Sequence, residues 1–437
     1  MKFSTIRSFV SKFVIFVSVT TYLSYTVAVN VFKDIKKPSV KLFIYQLPPH
    51  LEISAISHSH YGDSFTHRLK DSEFYEKDPR KADYFWIPSG GHVHNTSALL
   101  ALLAYIKEQH PWWNETAARG EARHILATTF DGGAGESFRR GVSDLRNAKQ
   151  RLELSSDPAS SSRNLIFLTF NGLQDGAVIG QPECLSCFQP GKDIMIPAPW
   201  SCGPLCGQQQ NEVQYLQQMS PWWQPTDRFQ ASLSKTRQRL MFFGGHVAKW
   251  TPQDPSGRGA AAILYANDTD FLFTRLGTSN FTETLLSTNF CYSPQGTFQG
   301  YPDRYISSII FGCIPIMLNL TTSEQGPWQV PLAFPFEEVL PWHEFATVID
   351  VQDMQRLKKQ LLCLLPHAPG MRMGMEGIWQ SMLYSSAFPG RGLKADPDKD
   401  AFVTLMRVLE SRIPQGYRPS SQTYERLSHP ASLFPCT

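Results

Sequence analysis

Residues 300–318 decide the fold class, and their sequence is Gly-Tyr-Pro-Asp-Arg-Tyr-Ile-Ser-Ser-Ile-Ile-Phe-Gly-Cys-Ile-Pro-Ile-Met-Leu. Pro302 fits the first turn of a helix, and Gly312 fits the position just past its end. Apolar residues between them recur at the i, i+3 and i+4 spacing of one helix face, namely Ile306, Ile309 and Ile310. The apolar stretch that follows, 314–318, predicts a strand. A helix that leads directly into a strand is typical of an α/β protein.

The same alternation recurs along the chain, because short apolar stretches end in Gly, Pro or Asp and helix-like segments follow them. The predicted strands are 41–46, 84–87, 124–129, 165–170 and 240–243, and the predicted helix is 98–109. An irregular stretch rich in Pro and Cys, 174–210, precedes the second series. We therefore expect two wound domains with a boundary near residue 235. Residues 395–412 predict an amphipathic helix that packs by one face and is solvated on the other.

The composition excludes some classes of protein. The chain has 437 residues, 42% of them hydrophobic, which is enough apolar material for a sizeable core in each domain and excludes disorder along the whole length. Its 41 basic and 38 acidic residues give a net charge of +3. Because this charge is too small for phosphate-backbone contacts to dominate binding, nucleic acid is not an expected partner.

The N-terminus predicts entry into the secretory pathway. Residues 13–32 carry no charge and follow a segment with Lys2, Arg7 and Lys12, which is the pattern of a transmembrane signal anchor. Residues 1–12 would then be a cytoplasmic tail and residues 33–40 a stem. A cleaved signal peptide is the alternative, since 26–28 has the small-x-small pattern of a cleavage site. Both interpretations place the rest of the chain in the lumen.

Glycosylation sequons and cysteines agree with a luminal address. Asn-x-Ser/Thr sequons begin at Asn95, Asn114, Asn267, Asn280 and Asn319. Eight cysteines fit an oxidising compartment, and four of them cluster within the stretch 174–210: Cys184, Cys187, Cys202 and Cys206. The cluster predicts two local disulfides, with a zinc site as the alternative. A zinc site would make the protein a luminal metal-binding module.

The helix that begins near Arg304 predicts a phosphate site. The Gly-rich loop before it leaves backbone amides unpaired, and the guanidinium supplies a positive charge in the first turn. Any α/β domain contains units with similar caps, so an ordinary structural role is the alternative.

Seven motifs occur in one order along the chain. They are Lys41-Leu-Phe-Ile-Tyr-Gln-Leu-Pro48, Asp78-Pro-Arg-Lys-Ala-Asp-Tyr-Phe-Trp-Ile-Pro88, Pro111-Trp-Trp-Asn114 with Arg119, Lys192-Asp-Ile-Met-Ile-Pro197, Arg239-Leu-Met-Phe-Phe-Gly-Gly245, Asn289-Phe-Cys-Tyr-Ser-Pro-Gln-Gly296, and Arg304 with Gly312-Cys-Ile-Pro315. Together they resemble the exostosin-like glycosyltransferases, family 47 of the glycosyltransferases, over about residues 41–349.

The resemblance implies a fold and an activity. The expected fold is GT-B, with two facing Rossmann-like domains at 41–235 (acceptor) and 236–395 (nucleotide sugar), followed by a C-terminal helix and tail at 396–437. The expected activity is inverting transfer of a sugar from a UDP-sugar donor to a glycan acceptor. The resemblance further implies no cofactor and no obligatory metal, and residence in the Golgi membrane as a single-pass type II protein. Partners would be the donor, the acceptor glycan and copies of itself or related transferases.

Donor-binding residues follow from the matched motifs. Inverting transfer without a metal needs positive protein groups beside the leaving diphosphate. The predicted nucleotide-sugar-binding residues are Arg304, Arg258, Gly244, Gly245, Ser293, Gly296 and Ser307. For Arg258 the alternative is a solvated helix start. Ser307 stands where the family usually has Glu, and a serine hydroxyl cannot accept two ribose hydroxyls as a carboxylate does.

Two residues are candidates for the catalytic base, because ligands of open α/β sheets bind at the carboxyl ends of strands. Asp131 follows the third predicted strand and His92 follows the second. A turn-forming aspartate and an ordinary loop histidine are the respective alternatives. A metal site made by His92 and His94 would need a third ligand that the sequence does not offer nearby.

A second function class remains open. Ser307 and Phe130, which replaces a family histidine, are departures that favour a catalytically degenerate relative acting as a glycan-binding or scaffolding partner of an active transferase.

Overall fold

The structure is a computed structural model. It describes residues 37–51, 61–88, 96–128, 164–170, 188, 191–200, 212–223, 237–245, 257–274, 280–294, 304–319, 333–384 and 398–413. The predicted tail at 1–12, the anchor at 13–32, the clustered cysteines and the segment after residue 413 lie outside these ranges. Within them, every helix is too short or too polar to cross a bilayer.

The first sheet has five parallel strands in the order β1-β2-β3-β4-β5. The strands are β1 Leu42–Ile44, β2 Tyr84–Trp86, β3 His124–Thr128, β4 Leu165–Thr169 and β5 Ile194–Met195. Helices α1 Tyr61–Lys70, α2 Thr96–Gln109 and α3 Pro111–Ala118 and the 3-10 turns Pro49–Leu51 and Pro79–Lys81 accompany them. The strands predicted at 41–46, 84–87, 124–129 and 165–170 and the helix predicted at 98–109 are confirmed.

The second sheet also has five parallel strands, in the order β10-β9-β8-β6-β7. The strands are β6 Arg239–Gly244, β7 Phe271–Thr274, β8 Thr288–Ser293, β9 Ile314–Asn319 and β10 Thr347–Asp350. Its helices are α5 Arg258–Leu264, α6 Phe281–Ser287, α7 Arg304–Ile310, α8 Trp342–Phe345, α9 Leu357–Leu364 and α10 Ala368–Ile378, and Glu212–Met219 forms α4. The 3-10 turns are Val351–Arg356, Leu365–His367 and Trp379–Met382. Two parallel sheets with intervening helices confirm the α/β class.

Helix α7 and strand β9 form as residues 300–318 predict. Ile306, Ile309 and Ile310 are fully buried against the second sheet. Gly312 has a φ of 73°, a left-handed conformation that glycine adopts without a β-carbon penalty. The glycine ends the helix and lets the chain turn directly into β9.

The final helix, α11 Ala401–Arg412, returns to the first sheet. Asp400 caps it by accepting a hydrogen bond from the Val403 amide at 3.1 Å, and the same carboxylate is ion-paired with Arg68 of α1. Tyr84 of β2 donates a hydrogen bond to the Leu409 carbonyl at 2.9 Å.

Helix α11 keeps one solvated face, made by Arg407, Glu410 and Ser411, but this face is narrower than expected. The rest of the helix is buried: Ala401, Phe402, Val403, Thr404, Leu405, Met406, Val408, Leu409 and Arg412. It lies between α1 and β2 on one side and the 3-10 turn Trp379–Met382 on the other. The Thr404 hydroxyl donates a hydrogen bond of 3.0 Å to the Ser381 hydroxyl of that turn.

A disulfide joins Cys291 of β8 to Cys313, the residue before β9. Both cysteines are buried. Cys363 of α9 is also disulfide-bonded.

Candidate functional site

The order of strands in the second sheet locates a crevice. Strand β7 lies on one side of β6, whereas β8, β9 and β10 follow on the other side. In open parallel sheets, ligands bind outside the carboxyl ends of the strands where the winding direction reverses. Here that point lies between the ends of β6 and β8, at Gly244 and Ser293.

Arg304, the first residue of α7, lies at this point. Its Nε donates a hydrogen bond of 2.8 Å to the carbonyl oxygen of Gly244, and its guanidinium carbon lies 5.5 Å from the centre of the Phe243 ring. A cation over an aromatic face is held in place by the ring quadrupole. The structure therefore brings Arg304 and the Gly244–Gly245 pair together, as the sequence predicted.

Neither Gly244 nor Gly245 has room for a β-carbon unless a neighbouring side chain moves. A β-carbon at residue 245 would lie 2.8 Å from Arg304 Nη2 and 2.8 Å from Phe243 Cζ. A β-carbon at residue 244 would lie 2.8 Å from Phe242 Cζ and 2.9 Å from Phe281 Cε2. Gly245 thus provides the space in which the guanidinium lies.

Ser307 lies one helical turn after Arg304 and contacts the first half of the chain. Its Oγ accepts a hydrogen bond of 3.1 Å from Nε1 of Trp200, whose ring also lies edge-on to Phe311 at 6.2 Å. Trp200 follows β5 of the first sheet. The contact links the helix that carries Arg304 to the end of a first-sheet strand. No local pattern predicts this contact, since Trp200 is more than 100 positions away from Ser307.

A second contact joins the same parts of the molecule. The amide of Phe336 donates to the carbonyl of Met195 in β5 at 3.0 Å. Phe336 has a φ of 53°, which is uncommon for a residue with a β-carbon. Arg412 of α11 adds a third link, because it is ion-paired with Glu338 and donates to the Lys192 carbonyl at 2.5 Å.

Arg258 begins α5 and is 6% exposed. The alternative of a solvated helix start is therefore wrong. The preceding residue, Gly257, accepts a hydrogen bond from the Tyr292 hydroxyl at 3.1 Å, and a β-carbon there would lie 2.6 Å from Leu318 Cδ1. Tyr292 and Leu318 are the penultimate residues of β8 and β9, so the start of α5 lies at the same edge of the sheet as Arg304.

Ser293 ends β8 beside this crevice and is 2% exposed. Its hydroxyl oxygen is buried and makes no hydrogen bond to any described residue, and the same holds for the hydroxyl of Thr274 at the end of β7. A buried hydroxyl without a partner costs stability, which is a feature of sites that serve a function. Thr274 was not singled out from the sequence. Gly296, His92 and Asp131 lie outside the described residues.

Glu337 has a perturbed pKa near the contact between the sheets. Burial raises the pKa of this carboxyl to about 7, although the Phe334 amide, which donates to it at 3.2 Å, acts in the opposite direction. It follows Phe336 directly in the chain. Carboxyls with a pKa near neutrality are candidates for acid–base roles, and the sequence alone gave no reason to select this one.

The matched motif at Lys192–Asp193 has a structural role. Lys192 Nζ lies 2.6 Å from Asp193 Oδ1 and donates to the Leu165 carbonyl at 2.7 Å, and both side chains are buried. Asp193 also accepts from the Phe167 amide at 3.0 Å. This buried pair joins the start of β5 to β4.

His124 of β3 is another buried polar group of the first sheet. Its ring nitrogens lie 2.9 Å from the Tyr45 hydroxyl and 2.7 Å from the Thr116 hydroxyl. Desolvation lowers the pKa of His124 to about 3, so the imidazole is neutral at ordinary pH.

Among the described residues, no group of three or more His, Cys, Asp or Glu side chains is arranged to hold a metal ion. Metal independence of the reaction stays a prediction.

Comparisons with known proteins agree with the motifs. Residues 36–362 match the family model described as the Exostosin GT47 domain. The chain is 23% identical over 413 residues to "Probable glucuronosyltransferase GUT1" of Oryza sativa subsp. japonica, covering 88% of this chain and 84% of that protein. It is 22% identical over 419 residues to "Probable beta-1,4-xylosyltransferase IRX10L" of Arabidopsis thaliana, covering 88% and 84%.

Among solved structures, the chain is similar to WaaG, described as a glycosyltransferase involved in lipopolysaccharide biosynthesis. The TM-score is 0.29 with 10% identity, and the match covers 80% of this chain and 97% of that one.

Proposed function

The chain belongs to the exostosin GT47 glycosyltransferases, and from this premise we propose that it is an inverting Golgi enzyme that transfers a sugar from a UDP-sugar donor to a glycan acceptor. The observation that carries the proposal is the position of Arg304. Its guanidinium lies over Gly245 at the reversal point of the second sheet, where ligands of such sheets bind.

The proposed role of Arg304 is to stabilise the leaving diphosphate. When the bond to the sugar breaks, negative charge develops on the diphosphate oxygens, and a fixed cation stabilises that charge without reorganising. Its Nε is held by the Gly244 carbonyl, which fixes the guanidinium at the carboxyl end of β6. Arg258, at the same edge of the sheet, is the second proposed cation. With two arginines in these roles, the proposed reaction needs no obligatory metal and no cofactor.

We propose that the acceptor glycan binds to the first domain. The contacts of Trp200 with Ser307 and of Met195 with Phe336 bring the end of β5 towards the helix that carries Arg304. These contacts support a GT-B arrangement in which the carboxyl ends of both sheets line one cleft. The acceptor hydroxyl would lose its proton to a base from the first domain as it attacks the anomeric carbon, and Asp131 and His92 stay the proposed bases.

The relatives suggest which donors to test first. Their names specify glucuronosyl transfer in rice and xylosyl transfer in Arabidopsis. We take UDP-glucuronic acid and UDP-xylose as the first donors, with a cell-wall, extracellular-matrix or glycoprotein glycan as the acceptor class.

The proposed location is the Golgi membrane, with the anchor at 13–32 and the enzyme domain in the lumen. Disulfides persist mainly in oxidising compartments, and the bond between Cys291 and Cys313 supports this location. An association with related transferases belongs to the same proposal.

The contact of Ser307 with Trp200 also favours a second function. The hydroxyl at the position of the usual family carboxylate is engaged by an indole from the first domain. A chain with this change would bind donors weakly and act as a glycan-binding or scaffolding partner of an active transferase.

Calorimetric titration of the purified chain with UDP, UDP-glucuronic acid and UDP-xylose, with and without EDTA, tests these proposals. We expect binding that survives EDTA and is lost in Arg304→Ala. Arg356→Ala, at an exposed position in a 3-10 turn, is the control and should bind as the native chain does. Failure to bind any nucleotide, together with binding of a glycan alone, would favour the scaffolding function.

A further inference from the structure

Four of the sequon asparagines lie in the described ranges, in different environments. Asn114 is in α3, Asn267 is in the turn between α5 and β7, Asn280 precedes α6, and Asn319 ends β9. An N-linked glycan needs an exposed asparagine and must not block the site that the enzyme uses.

The sequon at Asn267 is exposed at both of its defining residues. The side chains of Asn267 and Thr269 are exposed, and neither makes a hydrogen bond within the described ranges. The turn itself is fixed by Asp268, which accepts from the Asp270 amide at 3.0 Å and from Lys358 Nζ at 2.7 Å. The acceptor amide is therefore presented on a rigid, accessible turn.

This turn lies at the end of the sheet opposite Arg304. It precedes β7, and the first residue of β6, Arg239, lies beside it. Strand β6 has six residues, so the turn is roughly 17 Å from the carboxyl end of that strand at a rise of about 3.3 Å per residue. A glycan on Asn267 would leave the crevice open.

An open pocket of about 570 Å³ lies beside the same turn. Asn267 and Thr269 line it together with Gln238 and Arg239 of the neighbouring strand. These polar side chains can donate hydrogen bonds to the hydroxyl and acetamido oxygens of a first sugar residue.

The sequons at Asn114, Asn280 and Asn319 are less suited to carry a glycan. At Asn114 the side-chain amide donates to the Lys107 carbonyl at 3.3 Å, and the hydroxyl residue of the sequon, Thr116, is buried. Asn280 lies next to Phe281, whose ring lies against Gly244 at the crevice. Asn319 ends β9 at that same edge.

We propose that Asn267 carries an N-linked glycan, whose first N-acetylglucosamine residue lies over the pocket at the amino ends of β6 and β7, and that Asn280 carries none. This inference rests on the proposed luminal location.

In the modification, Asn267 Nδ2 forms a bond to the anomeric carbon of a lipid-diphosphate-linked oligosaccharide. The bond from that carbon to the diphosphate oxygen breaks, its electron pair leaves with the diphosphate, and the amide nitrogen loses a proton. The lipid-linked oligosaccharide and the luminal oligosaccharyltransferase are the co-reactants.

Glycopeptide mass spectrometry of the full chain, expressed in eukaryotic cells, tests the proposal. We expect glycan on Asn267 and none on Asn280. Asn267→Gln and Thr269→Ala should each remove one glycan, whereas the matched control Thr269→Ser keeps the sequon and should keep the glycan. A glycosylated Asn280, or an Asn267 that stays unmodified even behind an added secretory signal, would overturn the proposal.

A second experiment distinguishes a wrong glycosylation site from a wrong cellular location of the protein. The full chain is expressed from its own N-terminus and also behind a cleavable secretory signal. Glycan on Asn267 only with the added signal would support the site and contradict the luminal location of the native chain. An unmodified Asn267 with the added signal would overturn the site.

Discussion

The guanidinium of Arg304 occupies the space in which a β-carbon of residue 245 would lie. The distance between that β-carbon and Arg304 Nη2 would be 2.8 Å, well inside van der Waals contact. The position of Arg304, the proposed diphosphate-binding cation, therefore depends on residue 245, just after β6, having no side chain.

Gly245→Ala should weaken donor binding by displacing Arg304. Loss of one charge-assisted hydrogen bond costs about 1.5–3 kcal/mol, which is roughly a ten- to hundredfold rise in the Kd for UDP. Calorimetric titration measures it. The matched control is Gly370→Ala in α10, where a β-carbon would have no neighbour within 4 Å and binding should not change. Equal affinities in both variants would contradict the proposed role of Gly245.

Trp200→Phe should weaken the contact between β5 and α7 while keeping an aromatic ring. The variant loses the Nε1 donor to Ser307, at a cost of about 1 kcal/mol in the free energy of unfolding. Urea unfolding of Trp200→Phe, Ser307→Ala and the double variant measures the coupling, which should be about 0.5–1.5 kcal/mol. Strictly additive effects would show that the hydrogen bond does not form.

Arg68→Met should destabilise the molecule by leaving the buried Asp400 carboxylate without its ion-pair partner. The expected loss is about 3 kcal/mol, since removal of one partner from a buried pair is strongly destabilising. Arg356→Met is the control, because its pair with Asp353 is exposed and worth at most about 1 kcal/mol. Urea unfolding measures both, and similar losses would contradict a special role for the pair of Arg68 and Asp400.

The neutral His124 should make stability fall as the pH falls. Its pKa is about 3 in the folded chain and about 6.5 when unfolded, so between these values the unfolded state binds more protons. Stability from this residue is complete above pH 6.5 and decreases by at most about 1.4 kcal/mol per pH unit below it. Thermal unfolding between pH 7.5 and 5 should show a shallower pH dependence in His124→Asn. An unchanged dependence would contradict the lowered pKa.

Glu337 should make the protein more stable as the pH falls, which is opposite to the effect of His124. Its pKa is raised to about 7 from an ordinary value of 4.5, so the folded state binds more protons between these values and this residue favours folding as the pH falls through 7. Glu337→Gln should be more stable than the native chain at pH 8 and should lose that advantage near pH 4.5. Thermal unfolding at the two pH values measures the difference, and a constant difference would contradict the raised pKa.

Local signals in the sequence predicted the parts of the fold that depend on neighbouring residues. The spaced isoleucines and Gly312 specify the described part of α7 and its end through helix geometry, whereas Pro302 lies outside the described residues. The meeting of Arg304 with Gly245 was also predictable, since both belong to matched motifs and the carboxyl ends of parallel strands share one edge.

Contacts between distant segments were not predictable in the same way. Trp200 and Ser307 meet because the segment after β5 packs against α7, and no spacing along the chain encodes that. The pattern of α11 indicated one apolar face, but its burial on nearly all sides depends on surfaces of α1 and β2 that were synthesised more than 300 residues earlier. Burial of Arg258 likewise depends on β8 and β9.

The return of α11 to the first sheet sets the order in which the protein can mature. Phe402 packs on Phe65 and Phe74, so this face of the two N-terminal rings stays uncovered until α11 has been synthesised. Any nascent chain that stalls or is truncated before residue 401 carries this bare surface. We expect such a chain to bind chaperones, because exposed apolar surface on an incomplete domain promotes aggregation.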